Sequence, residues 1–302
     1  MATSPLDRLA PFSTTGVGSL PMTDPSDAVA HLLASYDVPF CPQLPRLDGD
    51  MIAEWLGGPG ADCGWSPERD RERPYAWNAL LKALAVSPPE HRIVKLQVTG
   101  PLTLCWALGP AEPPLEFARD VATWLAANAA AQVAALAEHG LVVVLVVDEP
   151  ALAAVPGSPE LPTVWDPLRS VAAAWGLHLC CSPPWQTVER AEPDLLSIDI
   201  VNTPLGPSGA AACARLQRAG THVAWGIVPT SAAGGAQAAL ARLGRMRSLL
   251  ADAGADPTLV GERSLLSASC GTGADGEHAE RQVAAALARV ARDPGLTLAH
   301  AT

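Results

Sequence analysis

At 302 residues, 49% of them hydrophobic and only 17% charged, the chain has the material for a large core and is neither disordered nor a coiled coil. Its formal net charge of −11, with Lys and Arg scattered rather than clustered, excludes a nucleic-acid surface. The longest apolar run, Leu141 to Val147, falls well short of the about 20 residues that span a bilayer. The N-terminus has no basic region followed by an apolar core, so the expectation is a soluble, cytoplasmic protein with no membrane partner. Cysteines at 41, 63, 105, 180, 181, 213 and 270 are odd in number and widely spread, which points to free thiols and ligands rather than disulfides.

Residues 1–13 read as a flexible lead. Thr14 to Pro21 is a short apolar segment broken by glycines, and Asp24-Pro25 then signals a helix over Ser26 to Ser35. A second strand is expected over Asp37 to Leu44, a helix from Asp50 to Leu56, and an irregular, polar excursion over 57–74, followed by a helix from Tyr75 to Ala85. Arg92 to Val98 alternates as a strand does. Glu116 to Glu138 is an Ala-rich helix stopped by Gly140, and the β-branched run Leu141 to Val147 has the signature of a strand buried on both faces of a parallel sheet. A helix near Asp166 to Trp175 comes next, then the strands Leu177 to Cys181, Leu195 to Ile200, His222 to Ile227 and Ser264 to Ser269, alternating with helices over Trp185 to Ala191, Gly209 to Ala219, Gly235 to Ala253 and Glu277 to Ala291. Eight strands alternating with helices, with no compositional break, predict one (β/α)8 TIM barrel spanning 1–302.

The polar residues fall where such a barrel carries its active site, at the C-terminal ends of strands. Gly18-Ser19, Asp148-Glu149, His178 with Cys180, Asp199 and Cys270 all sit there. Side chains at i and i+2 of a strand share a face, so His178 and Cys180 point the same way. One imidazole with several thiols is a donor set for Zn²⁺. Taken alone, H-x-C is as well explained by a buried histidine beside a small hydrophobe; the shared rim is what makes it a candidate metal site. Cys181 points to the opposite face and reads as packing, as do Cys41, Cys105 and Cys213. Gly16-x-Gly18 lacks the remainder of a dinucleotide fingerprint, and no G-x-S-x-G elbow occurs.

In this order the segments from Thr15 to Cys270 resemble the C-terminal catalytic barrel of cobalamin-independent methionine synthase and the related stand-alone methionine-synthase-like proteins. Thr15-Gly16-Val17-Gly18-Ser19 is similar to the family's substrate-binding first loop. Thr99-Gly100-Pro101-Leu102-Thr103, followed by Leu104-Cys105-Trp106, resembles its T-G-P-x-T segment with a tryptophan facing the folate. Asp148-Glu149-Pro150-Ala151-Leu152 matches its D-E-P-A-L signature, whose aspartate holds the substrate amino group. His178-x-Cys180 and Cys270-Gly271 match three zinc ligands, and Asp199 stands where the family has a fourth, a glutamate.

The resemblance implies a zinc-dependent methyltransferase acting on a small, homocysteine-like thiol, with methylcobalamin, a corrinoid protein or methyltetrahydrofolate as methyl donor. It implies Val17, Gly18, Ser19, Asp148, Glu149 and Trp106 as substrate-binding residues and Asp148 as the catalytic carboxylate. His178, Cys180, Cys270 and Asp199 are the implied ligands. The chain departs from the pattern at Gln43 to Asp48, which has no acid at the amine-contacting place. Ala153-Ala154-Val155 lacks a folate-contacting glutamate, and Ala224 to Pro229 has no histidine as proton donor. Two other readings compete: a decarboxylase like uroporphyrinogen decarboxylase, which wants an arginine-rich cleft and no metal, and a catalytically silent barrel that binds a ligand or a corrinoid partner.

Overall fold

In a computed structural model describing residues 4–56, 74–109 and 114–293, the apolar, β-branched runs form a single parallel sheet. Its strands are β1 (Ser13–Thr14), β2 (Ile93–Thr99), β3 (Val142–Asp148), β4 (Ala174–Leu179), β5 (Leu195–Asp199), β6 (His222–Val228) and β7 (Ser264–Ala268). The order across the sheet is β1-β7-β6-β5-β4-β3-β2, with every neighbouring pair parallel. The eighth strand, expected over Asp37 to Leu44, is present only as isolated parallel bridges: Val38 to Thr15, Phe40 to Lys95 and Gln43 to Ser19. Pro39 and Pro42 have no N–H to give, so a continuous ladder cannot form. The segment nonetheless bonds both edges, Val38 N to Thr14 O at 2.9 Å on one side and Cys41 N to Lys95 O at 3.0 Å on the other.

The sheet is curled, since residues from its two ends meet on one face. Ile93 of β2 and Leu265 of β7 share an apolar cluster with Val144, Val146, Ala174, Leu195 and Ala224. The opposite face, with Leu145, Val147, Leu177, Leu196, Trp225 and Leu266, packs in the main core with the helices. Residues on the inner face change character along four of the strands. β3 runs Val144, Val146, Asp148; β4 runs Ala174, Gly176, His178; β5 runs Leu195, Ser197, Asp199; and β7 runs Leu265, Ser267. The N-terminal ends therefore hold an apolar floor and the C-terminal ends a polar rim, as period-2 alternation dictates once the floor residues are fixed inward.

Residues 4–13, expected as a loose lead, close that floor. Ser4 caps the 3-10 turn Pro5–Arg8 (Leu6 N to Ser4 Oγ, 3.3 Å), which buries Leu6 and Leu9 in the inner cluster. Two apolar anchors three residues apart on one turn were enough to order the segment. Burying a leucine contributes roughly 1.5–3 kcal/mol.

Helices begin where caps are encoded. Asp24 accepts from Ser26 N (2.7 Å) and Asp27 N (3.0 Å) ahead of Pro25–Ser35, and Asp256 accepts from Thr258 N (2.9 Å) ahead of Pro257–Glu262. The helices Trp77–Val86, Leu115–Ala137, Trp185–Ala191, Pro207–Ala219, Gly235–Asp252 and Glu277–Ala291 agree with their expected places to within a turn. The helix expected over Asp166 to Trp175 stops at Arg169, and Ala174 already belongs to β4. Pairing of Trp175 with Leu145 and the stacking of Arg169 over the Trp175 ring at 4.9 Å override the helical pattern of Ala172 to Ala174. The irregular excursion over 57–74 lies outside the described residues except for Pro74, and so does Cys63. Among the described residues no helix is long and apolar enough to cross a membrane.

Candidate metal centre

The parallel register aligns Thr99, Asp148 and His178 across β2, β3 and β4, and His178 with Ser197 on β5. Cys180 follows His178 by two residues, and Cys270 lies two residues past the end of β7. Curling brings these ends together: one ligand atom each of His178, Cys180 and Cys270 lie within 4.8 Å of one another. In a tetrahedral zinc site with bonds of 2.0–2.3 Å, ligand atoms stand about 3.5–3.8 Å apart, so the trio needs only a small contraction.

The imidazole is poised for such a role. Its Nδ1 bonds Ser197 Oγ at 2.9 Å, which leaves Nε2, buried and without a hydrogen-bond partner, as the free ligand atom. With Ser197 accepting from Nδ1–H, the Nε2 lone pair is exposed to the cluster. The two thiols touch and shift each other in opposite directions. The bond from Cys180 holds the Cys270 thiol down to about 4 against the opposing effect of burial, with His178 helping; the same bond, with burial, pushes Cys180 well up. Two converging thiols beside a free imidazole nitrogen suit a soft divalent cation. In contrast, burial raises the Cys105 and Cys213 thiols to about 12, in keeping with their reading as packing.

Asp148 stands next to the trio at the end of β3. It is buried, its Oδ1 has no hydrogen-bond partner, and burial lifts its pKa to about 6 although His178 and Lys95 pull it down. Lys95, buried on the inner face of β2, donates to the Val17 carbonyl, and desolvation lowers it to about 8 against the attraction of Asp148. Val17, Gly18 and Ser19 form the neighbouring rim. Gly18 is held between Gln43 and Gln97, and a Cβ there would meet Gln97 Nε2 at 2.8 Å. Ser19 lies against the Cys270 loop: its carbonyl accepts from Thr272 N at 2.9 Å and its hydroxyl oxygen from Gly273 N at 3.3 Å. Trp106 is 55% exposed on the helix Pro101–Leu108, an element the sequence reading passed over.

Two expected site residues are not free to act. Both carboxylate oxygens of Asp199 are engaged at the turn after β5, by Val201 N (2.8 Å), Asn202 N (2.9 Å) and Asn202 Nδ2 (2.7 Å), and the residue is not among the converging donors. One methylene shorter than glutamate, it bonds to its own turn instead of reaching inward. Glu149, expected to bind substrate, is fully buried behind the rim. It accepts from Leu102 N (3.1 Å), Thr103 N (2.9 Å), Thr103 Oγ1 (2.7 Å) and Trp165 Nε1 (3.0 Å). The carboxylate thereby caps the N-terminus of Pro101–Leu108. A Cβ at Gly100 would run into it, which explains the glycine of the T-G-P segment.

Sequence reasoning missed the serines of this rim. Ser197 orients His178, while the hydroxyls of Ser267 and Ser269 are buried without partners near Cys270. The signal was available: Ser197 precedes Asp199 by two, and Ser267 and Ser269 continue the inward alternation of Leu265.

A curled parallel α/β sheet with a His–Cys–Cys donor group on its C-terminal rim defines the class of fold and site. No protein-family model matches the chain, and no curated protein sequence does. Among solved structures, the chain is similar to a B12-independent methionine synthase from Shewanella sp. W3-18-1 in complex with selenomethionine. The TM-score is 0.68 at 14% identity, covering 96% of this chain and 99% of that one. It is also similar to a methyltransferase from Methanosarcina mazei, with a TM-score of 0.56 at 14% identity, covering 94% of this chain and 96% of that one. The fold is thus the one the sequence motifs resemble.

Proposed function

We propose that the chain is a zinc-dependent methyltransferase that methylates a small, amino-acid-like thiol. We infer further that the 38–43 segment takes the eighth place in a (β/α)8 barrel forming one unit over 1–302. The observation that carries the reading is the convergence of His178, Cys180 and Cys270, whose free Nε2 and two thiols fit a soft divalent cation. The methionine synthase and methyltransferase likenesses, with the D-E-P-A-L and T-G-P-x-T segments, support the reaction class.

When bound by these residues, zinc would keep an acceptor sulfur deprotonated at neutral pH, as metal coordination does for thiols generally. The chain's own groups then bind and orient. Asp148 offers its free Oδ1 to the acceptor's ammonium, and the attraction gained on binding offsets the burial that raises its pKa. Ser19 Oγ accepts from Gly273 N and so has its own proton to donate to the acceptor carboxylate. Lys95 keeps the Val17 carbonyl, and with it the first loop, in place. Trp106 presents an exposed ring to a planar donor.

Because the segments expected to contact folate and deliver its proton lack the family's glutamate and histidine, a methylated corrinoid, free or carried by a partner, is favoured over methyltetrahydrofolate as donor. The test is to measure zinc content and then follow thioether formation with homocysteine and other thiols, offering methylcobalamin and methyltetrahydrofolate separately. Near-stoichiometric zinc and turnover with methylcobalamin are expected. Efficient turnover with the folate would overturn the donor assignment, and zinc-free protein inert with both would favour the silent barrel.

A further inference from the structure

Behind the metal centre lies a second buried polar cluster with no part in the reading above. Glu280, in the first turn of Glu277–Ala291, is completely buried. Its Oε1 accepts from Tyr36 OH at 2.6 Å and His31 Nε2 at 3.0 Å, both on or just after the helix Pro25–Ser35, and its Oε2 accepts from Thr272 Oγ1 at 2.6 Å. Ser35 Oγ lies 3.3 Å from His31 Nδ1 on the same helix. Burial, and then the carboxylate itself, raise the Tyr36 hydroxyl pKa well above its ordinary value, so it stays a donor. A fully buried carboxylate is costly, and the position is tolerable because three donors and a helix N-terminus face it.

The third donor is the informative one. Thr272 follows Cys270 by two residues, and its single hydroxyl proton goes to Glu280 rather than to the more distant Ser19 carbonyl at 3.3 Å. Its backbone N–H meanwhile holds Ser19 O at 2.9 Å. Packing leaves the loop no slack: a Cβ at Gly271 would collide with Ser19 Oγ, and one at Gly273 would meet Pro45 Cγ at 2.6 Å.

We propose that Glu280, held by His31 and Tyr36, is a positioning residue that acts through Thr272 to fix the Cys270 thiol against His178 and Cys180. Cys270 lies two residues past the end of β7, separated in the sheet from β4 by β5 and β6. His178 is placed by the β4 ladder, and Cys180 is the residue directly after that strand's end. Cys270 needs a brace from outside the sheet, and the buried carboxylate supplies it. The same bonds hold Ser19, so one anchor sets both a ligand and the acceptor's binding loop.

This inference rests on the metal reading, and its test separates the two. Thr272→Val and Glu280→Gln proteins, with Thr221→Val as a control for removing a buried hydroxyl remote from the rim, would be titrated with Co²⁺ and Zn²⁺ against a chromophoric chelator. The thiolate-to-cobalt absorption would be recorded alongside. Thr272→Val is expected to retain the wild-type circular dichroism spectrum yet bind either ion about 10- to 100-fold more weakly, with a displaced cobalt spectrum. Thr221→Val is expected to match wild type. Wild-type affinity and spectrum in folded Thr272→Val overturn the brace, whatever Glu280→Gln does, because that hydroxyl is what links the Cys270 loop to the carboxylate. Should the wild-type protein itself bind neither ion, the metal reading falls. The brace is then judged on metal-free protein by the rate of iodoacetamide labelling at Cys270: a changed rate in Thr272→Val sustains it and an unchanged rate overturns it.

Discussion

Two neighbouring carboxylates of one motif show how little residue type says about role. Asp148 and Glu149 are consecutive at the end of β3, so the strand's alternation sends them to opposite faces. Asp148 faces the rim with an unpartnered oxygen, and Glu149 faces the helices with every oxygen engaged. Glu149→Ala should therefore destabilise the fold by about 3 kcal/mol or more, since it leaves buried donors on Leu102, Thr103 and Trp165 unsatisfied. The shift in urea midpoint would show it, and a midpoint like that of wild type would mean the rim does not depend on the clamp. Ser197→Ala and Asp199→Asn separate the two serviceable polar groups of β5. The first removes the partner of His178 Nδ1 and should weaken zinc binding about 10- to 100-fold, while the second should leave zinc content unchanged. Chelator competition on the two variants would reverse these assignments if Asp199→Asn alone lost the metal.

At the scale of elements, the strands and long helices were legible because their hydrophobic periods are strong and their caps are written locally, as at Asp24-Pro25. The short pieces were not. The helix Pro101–Leu108 is apolar on all sides and is fixed by Glu149 from another strand, a partner that no local pattern announces. The donors His178, Cys180 and Cys270 could be read from strand ends, whereas the occupation of Asp199 and the orienting role of Ser197 depend on register and turn geometry. The N-terminal segment misled because its two leucines look isolated until the inner face of the sheet is known. That segment also meets His222, the buried first residue of β6, whose Nε2 lies 3.7 Å from Asp7. Burial lowers the His222 pKa to about 4, outweighing the attraction of Asp7. Between that value and the ordinary 6.5 the unfolded chain takes up a proton that the folded chain refuses, so stability falls as pH drops through this range. By pH 5 the loss has reached about 2 kcal/mol. Comparing urea midpoints at pH 7.5 and pH 5, His222→Gln should show a smaller fall than wild type; an equal fall would place the acid sensitivity elsewhere.

For the molecule as a whole, the candidate metal centre joins parts of the chain that the sheet keeps apart. His178 belongs to β4, Cys180 directly follows it and Cys270 lies in the loop after β7, with β5 and β6 between them in the sheet order. An ion shared by these residues ties the two sides of the curled sheet at its C-terminal end, opposite the apolar floor that Leu6 and Leu9 close. Binding to the folded form alone adds stability by mass action, about 2.7 kcal/mol when free ion stands at a hundred times its dissociation constant. For a chain of this size that corresponds to a rise in Tm of roughly 5 °C. Zinc should therefore raise the Tm of wild-type protein by about that amount and leave the Tm of Cys270→Ser protein unmoved, while the two metal-free proteins melt close together. A zinc-induced rise that survives Cys270→Ser would place the bound ion outside the His178, Cys180 and Cys270 trio. A metal-free Cys270→Ser protein that melts many degrees lower would instead make the thiol a packing residue whose structural contribution exceeds its part in holding an ion.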